Sequence, residues 1–277
     1  MQDNAITDNG ITFGTVCSDT FDMRYFRFGE GSRTMVILPG LSVQSVMGSA
    51  DVVAQEYAAF ADDFTVWVFD RRDRLPTGYT VCNMAFDTAK AFDMLGLRDI
   101  YLFGASQGGM IALCIALDHP GLVSKLILGS SACRVSDSGY EVIGNWVSLA
   151  RQKDRSGLYL SFGEKLYPEH VFEAYRSVFE SMAETVTDEE LEKFIILAEG
   201  TKGFDVSDRI GFVSCPVLSI DADDDMVLGS EAGQLIKEKL KDHPSFSSYT
   251  YSGFGHATFD TAAPEYQERM LNFFLGE

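Results

Sequence analysis

The run Gly104-Ala105-Ser106-Gln107-Gly108, followed by Gly109, sets one hydroxyl among small residues. A Gly-x-Ser-x-Gly pattern arises by chance in roughly one chain of this length in ten, taking glycine and serine frequencies of about 7%. Its meaning therefore rests on its surroundings. The apolar run Ile100 to Phe103 leads into it, and a stretch apolar nearly all round, 109–118, follows. A serine on a tight turn between strand and helix is held out for attack, and its neighbours must be small so that the backbone can close around it. The bland alternative is a glycine-rich turn whose serine caps the helix. The setting favours Ser106 as a nucleophile.

A serine hydroxyl needs an adjacent base. Of the four histidines, His119 ends a helical segment before Pro120, and His170 and His243 lie among polar residues. His256 follows a strand-like run, Tyr249 to Tyr251, and the turn Ser252-Gly253-Phe254-Gly255, ahead of a final helical segment around Glu265 to Phe274. A loop just beyond a last strand can carry a base to a serine at the end of a central strand, so His256 is the expected base. The rival reading is a loop histidine that only hydrogen-bonds backbone.

The base in turn needs a carboxylate to hold its tautomer. After the apolar run Val217 to Ile220 come Asp221, Asp223, Asp224 and Asp225, and spacing alone leaves all four open. Asp221, Asp223 and Asp225 alternate as in a calcium loop, but Met226 stands where such a loop needs glycine and Ala232 where it needs glutamate. An oxyanion needs two backbone donors. Gln107, directly after the serine, supplies one. The loop Leu38-Pro39-Gly40-Leu41-Ser42 offers the other through Leu41, since Pro39 has no N–H.

The elements that must position these residues are legible as a pattern. Continuous apolar runs (Met35 to Leu38, Phe64 to Phe69, Ile100 to Phe103, Leu126 to Leu128, Val217 to Ile220) suit strands covered on both faces, as in a parallel sheet. Helical periods lie between them. After Thr80, a plausible N-cap, Val81, Met84, Ala85, Thr88, Phe92 and Leu95 recur at spacings of three and four, and Gly96 stops the run. The class is α/β with a mainly parallel central sheet flanked by helices. Closely spaced runs at the start, Thr12 to Val16, Met23 to Phe28 and Met35 to Leu38, suggest an antiparallel beginning. Residues 135–208 hold helical pieces and no convincing strand. One piece starts at Thr187 with Glu190 three residues on, a capping-box pattern. This helical cap would sit over a core formed by residues 1–134 and 209–277. Tyr140, Trp146, Tyr159, Phe162, Tyr167, Phe172, Tyr175 and Phe179 fall in it; most should pack, and some should line an apolar pocket.

Composition narrows the partners. The chain has 277 residues, 46% hydrophobic and 23% charged, enough to bury a core without disulfides or a structural metal. A net charge of −19 repels polyphosphates and anionic lipid, so nucleic acid and membrane are not expected partners. A polar N-terminus and the lack of a long apolar run lead to the expectation of a cytoplasmic protein. Five dispersed cysteines, Cys17, Cys82, Cys114, Cys133 and Cys215, read as reduced, small buried hydrophobes rather than a disulfide framework or zinc site.

With these pieces in place the chain resembles the α/β-hydrolase superfamily along nearly its full length. The order serine, aspartate, histidine matches. Phe69-Asp70-Arg71-Arg72-Asp73 is similar to the family's strand end before the helix leading to the nucleophile strand, and Cys215-Pro216-Val217-Leu218-Ser219-Ile220 to the segment entering the acid-bearing strand. The family's Gly-x-x-Asp appears as Ala222-Asp223-Asp224-Asp225, and this resemblance, not spacing, singles out Asp225. Pro39 replaces the histidine often found at the oxyanion loop. The resemblance implies a serine hydrolase with Ser106, Asp225 and His256 as its triad and Leu41 and Gln107 as oxyanion donors. It would cleave an ester, thioester or related acyl bond of a small molecule, needing no metal or organic cofactor. Rival readings are acyl transfer, carbon–carbon bond hydrolysis on the same triad, and a small-molecule receptor that retains it. Acyl group, leaving group and oligomeric state stay open.

Overall fold

The computed structural model describes residues 10–276. Eight strands form one sheet: β1 (Thr12–Cys17), β2 (Asp22–Phe28), β3 (Arg33–Leu38), β4 (Phe64–Arg72), β5 (Ile100–Ala105), β6 (Val123–Gly129), β7 (Val217–Ala222) and β8 (Phe246–Tyr251). Their order across the sheet is β1-β2-β4-β3-β5-β6-β7-β8. β1 with β2 and β2 with β4 pair antiparallel, whereas every pairing from β4 to β8 is parallel. The expected antiparallel beginning thus holds for β1 and β2. β3 differs: it lies between β4 and β5, parallel to both.

That placement has a consequence for the site. The chain leaves β3 to one side to make β4, then crosses to the other side to make β5. The loops leaving the carboxyl ends of β3 and β5 therefore diverge, opening a crevice at a topological switch point. Both loops carry residues singled out above.

Helices α1 (Ala50–Glu56), α2 (Val81–Met94) and α3 (Gln107–Asp118) alternate with the strands, α2 between β4 and β5, α3 between β5 and β6. Thr80 caps α2 by accepting the Asn83 N–H, and Asn83 accepts from Thr80 N in return. Gly96, at φ 70°, ends the segment in a left-handed turn that glycine adopts without strain. Four helices follow β6: α4 (Asp137–Arg151), α5 (Arg155–Leu166), α6 (Glu169–Thr185) and α7 (Asp188–Glu199). Thr187 and Glu190 form the reciprocal capping box that starts α7. The two ends of this insertion meet, with Val206 N donating to Cys133 O at 2.8 Å and Val135 N to Phe204 O at 3.2 Å. Inside it, Trp146 of α4 packs on Phe162 of α5 (ring centroids 4.2 Å apart), which meets Phe194 of α7 edge-on at 6.0 Å. The chain closes with α8 (Ser230–Leu240), the short α9 (Thr258–Thr261) and α10 (Glu265–Leu275).

Apolar side chains fill both faces of the sheet. One core joins α2, α3 and α8 with the inserted helices; the other lies under α1 and α10, around Phe60, Phe64, Phe103, Tyr266 and Phe274. β7 is buried at all six positions, as its continuous apolar run requires. Of the five free thiols, Cys114, Cys133 and Cys215 are buried, but Cys17 and Cys82 are exposed, which corrects the expectation for those two. Cys17 ends a strand at the sheet edge, and Cys82, near the start of α2, has its sulfur 4.0 Å from that of Cys114 in α3. Among the described residues no helix is long and apolar enough to cross a membrane.

Candidate active site

Ser106 stands between β5 and α3 at φ 51° and ψ −118°. A left-handed φ costs a serine about 1–3 kcal/mol and persists only where packing enforces it. The enforcement is visible. Ser106 N donates to Gly129 O at 2.8 Å, and Ser131 Oγ donates to Ser106 O at 2.8 Å. A Cβ on Gly104 would lie 2.4 Å from Gly108 O, and one on Gly108 would lie 2.0 Å from Leu38 O. The glycines let α3 start directly against the ends of β3 and β5.

His256 follows β8 and brings Nε2 to 2.9 Å from Ser106 Oγ and Nδ1 to 2.7 Å from Asp225 Oδ2. His256 is 2% exposed and the Asp225 side chain 6%, so water does not compete for either bond. The second Asp225 oxygen accepts from Val227 N at 2.8 Å and Leu228 N at 2.9 Å. Burial pushes the Asp225 carboxyl up, but the attraction and hydrogen bond of His256 and the two backbone donors outweigh it and hold the group below the usual carboxylate range. A carboxylate fixed on Nδ1 leaves Nε2 facing the serine as proton acceptor.

The four aspartates separate by partner. Asp221 lies under α8, 3.5 Å from Lys237 Nζ, with Ser219 donating to it at 3.1 Å, and burial raises its carboxyl to about 6. Asp223 accepts from Ser252 Oγ at 2.6 Å and Gly253 N at 2.8 Å, bracing the turn that leads to His256. Only Asp225 pairs with His256. These divergent partners do not converge as calcium ligands would.

Leu41 and Gln107 both line the cavity beside Ser106. As the first residue of α3, Gln107 has an N–H that no intrahelical acceptor can reach. The Gln107 side chain is buried and bridges two elements: Nε2 donates to Leu197 O of α7 at 2.8 Å, and Oε1 accepts from Arg71 at 3.3 Å. The same Arg71 nitrogen donates to Pro39 O at 2.8 Å. Arg71, at the end of β4, thus ties the loop after β3 to the turn after β5. Burial pushes the pKa of its guanidinium down, and Asp70 and Tyr79 oppose that. In the sequence its only signal is a cation at a strand's carboxyl end, within Phe69-Asp70-Arg71-Arg72-Asp73.

The cavity holds about 760 Å³, within the range of small-molecule sites. Of the eight aromatics named in the insertion, Trp146, Tyr159, Phe162 and Phe179 line it, while Tyr140, Tyr167, Phe172 and Tyr175 do not. Tyr159 OH donates to Gln44 Oε1 at 3.0 Å, joining α5 to the loop after β3. Sequence reading passed over Gln44 and Asp260, both on the wall. Neither sits in a motif.

Comparison with known proteins agrees with this architecture. The chain is 25% identical over 260 residues to a protein of Caulobacter sp. (strain K31) named "Putative carbamate hydrolase RutD", covering 88% of this chain and 91% of that one. A protein of the same name from Serratia proteamaculans is also 25% identical, over 85% of this chain and 90% of its own length. Among solved structures, an enol-lactonase from Burkholderia xenovorans LB400 superposes with a TM-score of 0.80 at 16% identity, covering 95% of this chain and all of that one, 100%. An α/β hydrolase from a Medee basin deep-sea metagenome library gives a TM-score of 0.85 at 18% identity, covering 95% and 98%. The family described as alpha/beta hydrolase fold matches residues 33–263, and with the sheet order and the crevice at its switch point, this chain belongs to that family.

Proposed function

We propose that this protein hydrolyses an acyl bond of a small molecule, an ester, thioester or carbamate, through a serine-bound acyl intermediate. The observation that carries the reading is the continuous line from Ser106 Oγ to His256 Nε2 (2.9 Å) and from His256 Nδ1 to Asp225 (2.7 Å) at the wall of the cavity.

In this reading His256 Nε2 takes the hydroxyl proton as Ser106 Oγ bonds to the carbonyl carbon. The Leu41 and Gln107 N–H groups hold the resulting oxyanion. The bond to the leaving group then breaks, and the imidazolium returns its proton to that group. Water repeats the sequence: it gives a proton to His256, bonds to the acyl carbon, and releases the acid as Ser106 recovers its proton. Asp225 orients His256 and offsets the imidazolium charge without being protonated. The helical insertion, residues 135–208, acts as a cap that shapes the acyl and leaving-group sites. The relatives named as carbamate hydrolases make a carbamate one substrate to include.

Steady-state hydrolysis of nitrophenyl esters of increasing chain length, with a carbamate alongside, tests this. Wild-type protein should turn over at least one, and Ser106→Ala should lose about three orders of magnitude or more in kcat. Equal rates for the two proteins would overturn the reading.

A further inference from the structure

The charges on the cavity wall are unequal in how they are engaged. Arg24 reaches Asp73 at 3.3 Å and Asp70 at 3.6 Å, so its charge is met from within the protein. Glu190 accepts from both Thr187 N and Thr187 Oγ1 at 2.8 Å in the capping box of α7. His256 is held between Ser106 and Asp225. Asp260 is different. It lies in α9, four residues past His256, and its side chain is open to the cavity. One oxygen accepts from Tyr167 OH at 2.7 Å. Among the described residues no basic side chain pairs with it, and its other oxygen has no hydrogen-bond donor.

We propose that Asp260 is a specificity-determining residue that selects acyl substrates bearing a protonated amino group, which it holds in the cavity through its open carboxylate oxygen. The inference rests on the hydrolase reading and names the substrate class for it. An ammonium group brings three donors and a full positive charge to an acceptor that the protein leaves without a counter-ion. A carboxylate on the substrate would meet like charge at this wall, so the same residue disfavours anionic substrates. The surroundings act in the same direction. Glu56 of α1 lies close enough for Asp260 to help raise its carboxyl, with burial the larger cause, to about 7. Burial raises Asp260 itself to about 6, while the Tyr167 hydrogen bond and His256 pull the other way. Leu41, Met110, Trp146 and Phe179 give the wall an apolar stretch that suits a methylene chain joining the amino group to the acyl carbon.

The test uses three esters of one chromogenic alcohol whose acyl chains end in an ammonium, a methyl or a carboxylate group. The quantity read is the ratio of kcat/KM between them, which cancels any general loss of activity in a variant. Wild-type protein should prefer the ammonium ester over the methyl ester by about tenfold or more, about 1.4 kcal/mol, and the carboxylate ester should be the poorest. Asp260→Asn should bring the ammonium-to-methyl ratio close to one. Asp260→Lys should turn the preference toward the carboxylate ester. Tyr167→Phe keeps the carboxylate and should keep the ammonium preference, which guards against a fold defect being mistaken for lost recognition. A ratio near or below one in wild type, or a ratio unchanged in Asp260→Asn, would overturn the proposal. A second arm needs no turnover: hexylamine hydrochloride titrated calorimetrically into Ser106→Ala protein should bind, and hexanol should bind more weakly. Adding Asp260→Asn should abolish that difference. If no ester is hydrolysed yet the amine binds through Asp260, the hydrolase reading fails and the subsite stands. If esters are hydrolysed with no amine preference, the subsite fails and the hydrolase reading stands.

Discussion

Ser106 is held in a conformation that serine resists, and three groups share the work of holding it: the Gly129 carbonyl, the Ser131 hydroxyl and the close-packed glycines. In the proposed mechanism, a nucleophile fixed in this way needs little reorganisation before attack. In the same proposal Asp225 plays the matching part for His256, which it holds by a hydrogen bond. Asp225→Asn should keep the fold and lose about four orders of magnitude in kcat, because the amide favours the wrong imidazole tautomer. Asp224→Asn, at an exposed neighbour, should stay within about twofold, as surface changes away from a site usually do. Kinetics of the two variants on one ester check this, and comparable losses in both would remove Asp225 from the mechanism. The four aspartates show where residue-level reading ran out. They fall within five positions, so composition and spacing could not rank them. The turn after β7 sends Asp223 toward Ser252, Asp225 toward His256 and leaves Asp224 exposed, and that turn is set by packing against the loop after β8.

At the scale of elements, the strand-turn-helix unit of β5 and α3 was legible because a buried strand, a glycine-rich turn and an all-round apolar helix are each local patterns. The inserted helices were legible for a similar reason, with Thr187 and Glu190 marking a start that hydrogen bonds realise. The place of β3 between β4 and β5 was not, since strand order depends on which way each crossover passes, and no residue near β3 encodes that. Nor was the bridge from Arg71 to Pro39 and Gln107, which exists only once β4, β3 and α3 are assembled. A tight junction of these elements is Gly108 against Leu38 and Pro39. Gly108→Ala would drive a methyl into backbone at 2.0 Å that cannot rotate away. It should cost about 3 kcal/mol or more of stability, read as a lower midpoint in urea. Gly144→Ala, where a Cβ meets nothing within 4 Å, should be neutral or stabilising by up to about 1 kcal/mol. Equal midpoints for the two would refute the account of how the serine turn is built.

At the scale of the whole molecule, a net charge of −19 is joined by acids whose surroundings resist ionisation. Burial raises Asp221 and Asp260 to about 6 and Glu56 to about 7. In the unfolded chain these groups titrate near 4, so between about pH 4 and 7 the folded protein holds protons that the unfolded chain has released. Stability should therefore fall as pH rises through that window. Asp225 and Asp223 shift the other way, but their contribution is already complete above about pH 4. The melting temperature should be higher at pH 5.5 than at pH 8, and added salt should raise it most at pH 8 by screening self-repulsion. A melting temperature that climbs from pH 5.5 to 8 would contradict this.

Covalent labelling tests Ser106 as the activated nucleophile without knowledge of the substrate. A fluorophosphonate should react with the protein at one site, and peptide mass spectrometry should place the adduct on Ser106. Ser106→Ala should not label, and His256→Ala should label far more slowly. Labelling of Ser106→Ala at the wild-type rate, or an adduct on another residue, would contradict the account.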